Sequence, residues 1–231
     1  SSNSHRNRVA LRTGNWPSGT TLQIDIGSSG RIQGAGGNGR QGATNSGTPG
    51  QAFTGTSGLG VEYPAQINRS GTIRCGYGGG GGGAGSWSDP NKNPRDFGRS
   101  GGGGGGGAGI PAGDGGPQNT GGYGAAGGGG PSDQNGKGKA GGDASFDAGG
   151  NGGGGGNHGE GGGGAGSGGN GGDRNDSAQS GSSGSPNRGG GGSPGTNGHG
   201  IIFSSNSVRN NSSGDKTLSN ADGGVTVGGV A

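Results

Sequence analysis

The stretch Gly76-Tyr77-Gly78-Gly79-Gly80-Gly81-Gly82-Gly83-Ala84-Gly85 decides how this chain can fold. Apart from Tyr77, nothing in it carries more than a methyl group. The stretch has counterparts: Gly101–Gly107 runs into Ala108-Gly109, and Gly161–Gly164 into Ala165-Gly166. Glycine supplies 77 of the 231 residues, in blocks separated by polar segments. Such a chain is not expected to fold around a side-chain core. It either stays disordered or packs backbone against backbone.

Composition alone favours disorder. Leu, Ile, Val and Phe total 22 residues, well short of a globular core, and ordering glycine costs more backbone freedom than ordering any other residue. The net charge of +3 argues the other way, because disordered chains of low hydrophobicity usually carry more. Collagen fails on register and on its ten prolines, since the glycine phase is reset by every intervening segment.

What remains is a layered bundle of polyglycine (polyproline) II helices with a few short β-strands and essentially no α-helix. Such a helix has three residues per turn, rises about 3.1 Å per residue, and makes no internal hydrogen bonds. Its N–H and C=O groups point outward and must find partners when buried. Pure glycine runs are therefore expected inside, where neighbours approach from every side. Stretches with one glycine per turn belong on outer layers, as in Gly121, Gly124, Gly127 and Gly130, or Gly189, Gly192, Gly195 and Gly198.

Four regions follow along the chain. Residues 1–20 are polar and basic, with Trp16-Pro17 the bulky feature, and read as an attachment segment or linker. Residues 21–75 form a β-turn repeat region leading into the bundle. There Leu22, Ile24 and Ile26 alternate with Gln23 and Asp25, the period of a half-buried strand, and a second β-like stretch runs from Ala65 to Arg74. Ile26 to Gly34 aligns with Ile67 to Arg74 as strand, polar turn with glycine, then short strand. Residues 76–200 are the bundle with its intervening loops, and 201–231 read as a closing strand or two, from Ile201, Ile202 and Phe203 to Val225 and Val227.

Enzyme chemistry finds little support. Gly34-Ala35-Gly36-Gly37-Asn38-Gly39 matches a dinucleotide fingerprint, but no amphipathic helix can follow it. His5, His158 and His199 are scattered without cysteine partners, which argues against a metal site. No trio of nucleophile, base and orienting group can be assembled. The chain reads as a non-enzyme without cofactor. Charges alternate in sign too closely for nucleic-acid binding, and no apolar run reaches the length of a membrane span. Cys75 rules out an intrachain disulfide and reads as a small buried residue.

The segment Ser86–Ser100 is the richest in recognition chemistry, with Trp87, Asp89, Asn91, Lys92, Arg95, Asp96 and Phe97 close together. Rigid aromatics beside adaptable polar groups are what binding loops use elsewhere. Gln118, Asn119, Asp133, Gln134, Lys137, Phe146 and Arg174 extend the candidate set into the other inter-block segments. Trp87 and Phe97 could equally fold back to cover the bundle ends.

The run Ile67-Asn68-Arg69-Ser70-Gly71-Thr72-Ile73 leading into 76–85, with Gly-Ala-Gly endings at Gly109 and Gly166, resembles the glycine-rich tip adhesins of tailed-phage tail fibres. The resemblance spans roughly residues 21–205. It implies a layered polyglycine II sandwich whose variable distal loops bind a protein or glycan receptor on the bacterial surface. It also implies a virion location at the fibre tip, outside the cell, and attachment to the remainder of the tail fibre, as a monomer or a homotrimer. Residues before 20 show no recognisable fibre-docking domain. Two other classes fit the composition less well. An ice-binding protein needs a flat face of regularly spaced small residues, and a structural glycine-rich protein needs long uniform repeats.

Overall fold

A computed structural model of the chain describes residues 8–43, 48–63, 65–85, 101–117, 139–155, 165–173, 176–183, 190–203 and 225–227. Among these there is no helix, and the strands are three to five residues long. The fold is non-helical and irregular, in two parts with different cohesion.

The first part is built from parallel strands. β1 (Val9–Arg12), β4 (Ser57–Val61), β7 (Ile201–Phe203) and β8 (Val225–Val227) form one sheet in the order β1-β4-β7-β8. β2 (Leu22–Ile26) pairs with β5 (Ala65–Arg69), and β3 (Arg31–Gln33) with β6 (Thr72–Arg74). Gly14 and Gly19, with φ of 72° and 88°, turn the chain between β1 and β2 in a region that residues with a Cβ avoid. Along β2, Gln23 and Asp25 are exposed while Leu22, Ile24 and Ile26 turn inward, as the alternation requires.

The two β-turn units do stack, but not in one register. Ile32 faces Ile73, as the sequence alignment expects, whereas Ile24 rather than Ile26 faces Ile67. The physical reason is turn length. Gly27-Ser28-Ser29-Gly30 separates β2 from β3, closed by the Gly30 N–H donating to the Gly27 carbonyl at 2.8 Å. Only Ser70-Gly71 separates β5 from β6, and both N–H groups donate to the Ile26 carbonyl.

The strands enclose Ile26, Leu59, Val61, Ile67, Ile73 and Ile201, with Ile24, Ile32 and Ala65 packed against them. The expectation of a chain without any side-chain core is therefore corrected: a small one exists. Six aliphatic residues suffice because they share one place, where three short sheets converge.

The second part is held by main-chain bonds. In the 34–43 tract, Gly34, Gly37, Arg40 and Ala43 donate to Arg74, Tyr77, Gly80 and Gly83. In the 101–109 tract, Gly101, Gly104 and Gly107 donate to Ala43, Arg40 and Gly37. The first pairing is parallel and the second antiparallel, yet both step by three residues. Successive N–H groups of one tract also reach different neighbours: Gly102 donates to Gly166, Gly103 to Lys139 and Gly104 to Arg40. The 76–85 tract bonds to tracts 34–43, 50–56, 101–109, 165–173, 177–183 and 190–200. The 101–109 tract bonds to 34–43, 76–85, 113–117, 139–144, 149–155 and 165–173. Each such bond contributes about 0.5–1.5 kcal/mol net.

Burial follows. Every residue of 76–85 and 101–109 is buried. In 190–200 only one side is covered: Gly192, Gly195 and Gly198 are buried while Ser193 and Thr196 are exposed. A Cβ at Gly104 would overlap the carbonyl oxygen of Gly80, so glycine there is a condition of the close approach. Gly121, Gly124, Gly127, Gly130 and Gly189 lie outside the described residues. Cys75 is buried beside Tyr77 and Ala108, where the two parts meet.

Candidate functional site

The stride-three register gives the bundle two distinguishable ends. At one end the tracts meet the sheets. The Gly34 N–H donates to Arg74, Ile110 to Gly34, Gly109 to Ser145, Gly172 to Gly78 and Gly198 to Gly76. Short links join the tracts here, at 110–112 through the cis Ile110–Pro111 bond, and at 145–148. At the opposite end the Ala43 N–H donates to Gly83, Gly101 to Ala43, Ala84 to Ser182, Gly166 to Ala84, Lys139 to Gly154 and Gly192 to Gly82.

At that second end stand the residues that flank the longest inter-tract segments. Gly85 and Gly101 flank 86–100, Pro117 and Lys139 flank 118–138, Gly155 and Ala165 flank 156–164, and Ser183 and Gly190 flank 184–189. Alternating tract directions produce this. Each tract entering from the sheet end leaves at the far end, and the next tract returns.

The candidate recognition residues divide accordingly. Trp87, Asp89, Asn91, Lys92, Arg95, Asp96, Phe97, Gln118, Asn119, Asp133, Gln134, Lys137 and Arg174 lie outside the described residues. Phe146 is described, and it stands at the sheet end, away from Gly85 and Gly101. It is 52% exposed, with the Arg31 guanidinium 4.7 Å from its ring centroid. Its carbonyl accepts a 2.8 Å hydrogen bond from Gln33 Nε2. The adjacent Asp147 pairs with Arg31 at 3.2 Å and with the buried Arg74. A turn that reads as a loop in sequence is thus clasped to β3 and β6.

Sequence reasoning also misses a groove beside this clasp, about 510 Å³ in volume and open to solvent. Val9 and Leu11 of β1, Ile32 of β3, Ile110 and Pro111 line it, and Arg8 and Arg31 add positive charge. Leu11 continues the row Leu59–Ile201 across the sheet but, with no strand beyond β1 among the described residues, remains 45% exposed. The available signal was the alternation of Val9 and Leu11, too short to stand out in a polar stretch.

A family model, the phage tail fibre adhesin Gp38, matches residues 2–164. The chain belongs to that family. Comparisons with curated proteins and with solved structures find no match. As a tail fibre adhesin of a tailed phage it is a component of the virion tail. It attaches to the tail and binds a receptor on the host surface.

Proposed function

We propose that the adhesin is a rigid receptor-binding tip whose tracts are polyglycine II helices. The segments leaving the far end, 86–100 and 118–138 foremost, touch the host receptor. The reading is supported by one observation above others: the flanks of the long inter-tract segments lie at the end away from the sheets. A scaffold cross-bonded in this way costs its loops little positional freedom, which is how binding surfaces are commonly mounted. Within 86–100, Trp87 and Phe97 supply rigid contact area, and Asp89, Asn91, Lys92, Arg95 and Asp96 supply directional polar contacts to a protein or a glycan.

The sheet end faces the rest of the fibre in this reading. The groove beside β1, in the first twenty residues, then offers an edge strand and apolar surface for attachment. The work of the tip is binding rather than catalysis. Replacing 86–100 by a Gly/Ser segment of equal length tests the assignment through adsorption of the adhesin to host cells. Adsorption should be lost while the unfolding temperature holds. Replacing 145–148 in the same way should leave adsorption in place. Retained adsorption after exchange of both 86–100 and 118–138 would remove the loops from the recognition surface.

A further inference from the structure

The lateral bonding pattern has no internal stop. Tracts pair with the same stride whether parallel, as 34–43 with 76–85, or antiparallel, as 34–43 with 101–109. An outer tract thus presents donors that any further tract, in either direction, could engage. This is the situation of an exposed edge strand, which invites pairing with another copy. The outer tracts, however, do not leave all of these donors to such a partner.

Side chains from an adjacent tract occupy several of them. The Gly152 N–H donates to Asn170 Oδ1 at 2.8 Å, and the Ser167 N–H to Ser182 Oγ at 2.7 Å. The Asp114 N–H donates to Asn38 Oδ1 at 3.0 Å, and the Gly115 N–H to Asp143 Oδ1 at 2.8 Å. Asn170, Ser182, Asn38 and Asp143 are all exposed, and each oxygen fills the acceptor position of an N–H that a further carbonyl could otherwise take. Inside the bundle the corresponding donors meet carbonyls, as Gly102 does with Gly166 and Gly105 with Gly169.

We propose that these side chains terminate the lateral bonding, and that the faces they guard bind a second copy of this chain when the caps are removed. The occupant follows from self-complementarity, because a tract of the same stride matches the uncapped face in either direction. The caps thereby keep a virion-borne tip from adhering sideways to its neighbours.

Sedimentation velocity over a concentration series tests this on the full chain. The triple variant Asn38→Ala, Asn170→Ala, Ser182→Ala should associate with a constant at least about tenfold above the parent's, given the cost of an unpaired amide. A variant that retains acceptors, Asn38→Asp, Asn170→Asp, Ser182→Thr, should sediment as the parent does. Its formal charge falls from +3 to +1, so repulsion would not explain the result. Should the triple variant not be obtained folded, Asn170→Ala alone decides by the same readout. Loss of stability without association, or equal association in the acceptor-retaining variant, would overturn the proposal.

Discussion

The sheets and the glycine bundle are cut from one chain but cohere by opposite means. In the sheets, Leu59, Ile73 and Ile201 are fully buried and fill space between strands. In the bundle the buried groups at Gly80, Gly104 and Gly105 are the peptides themselves. The first region is stabilised by removing apolar side chains from water. The second depends on placing each donor opposite a carbonyl with nothing in between. Loss of a side chain should therefore damage the sheets, and gain of one should damage the bundle.

The largest effect expected from that contrast is Gly104→Val. Its Cβ would sit on the Gly80 carbonyl, and the obstacle is backbone of another central tract rather than a side chain that can rotate away. Both tracts are bonded to others on several sides, so neither can retreat without breaking further pairs. A destabilisation of about 4–5 kcal/mol, the exceptional range for one substitution, should appear in denaturant unfolding. A loss below that of a core truncation would mean that the bundle is softer than its bonding implies.

Ile73→Ala supplies the opposite case. Ile73 is 1% exposed and lies across from Ile32 between the paired β-turn units. Truncation should cost about 3 kcal/mol by the same measurement, through lost burial and the cavity left behind. Amide exchange would show where the damage falls. Exchange should quicken in β3 and β6 before it does in 101–109. Equal acceleration everywhere would show the two regions unfolding as one cooperative unit.

The bundle was the more legible region. Unbroken glycine leaves no choice about which groups can be buried, so the burial of 76–85 and 101–109 and the one-sided burial of 190–200 follow from spacing alone. The sheets were harder to read. β4, Ser57-Gly58-Leu59-Gly60-Val61, is buried on both faces and shows no polar alternation. A Cβ on its Gly58 would overlap the Arg74 carbonyl oxygen, so glycine marks close backbone approach there rather than a loop. The alignment of the two β-turn units missed a two-residue difference in turn length, which similarity between Ile26 and Ile67 conceals. Nor does loop composition encode direction. The turn carrying Phe146 and the segment carrying Trp87 look alike in sequence, and only the alternation of tract directions separates the end holding Phe146 from the end where Gly85 and Gly101 stand.

The smallest effect is the most discriminating, because it asks whether glycine is needed merely for lying in a glycine block. Gly142 belongs to an outer tract, donates to Asn151 at 2.8 Å and accepts from Gly106 at 3.1 Å, just as interior glycines do. Yet an added Cβ would come no closer than 3.5 Å to its nearest neighbour, the Asn151 nitrogen. That is ordinary contact. Alanine also has less backbone freedom to lose when the tract orders, a gain of about 0.4–1 kcal/mol at a compatible position. Gly142→Ala should therefore unfold at the same denaturant concentration as the parent or slightly above it. A loss approaching that of Gly104→Val would mean that outer tracts need bare backbone on their solvent side as well, and that the bundle does not grade from centre to surface.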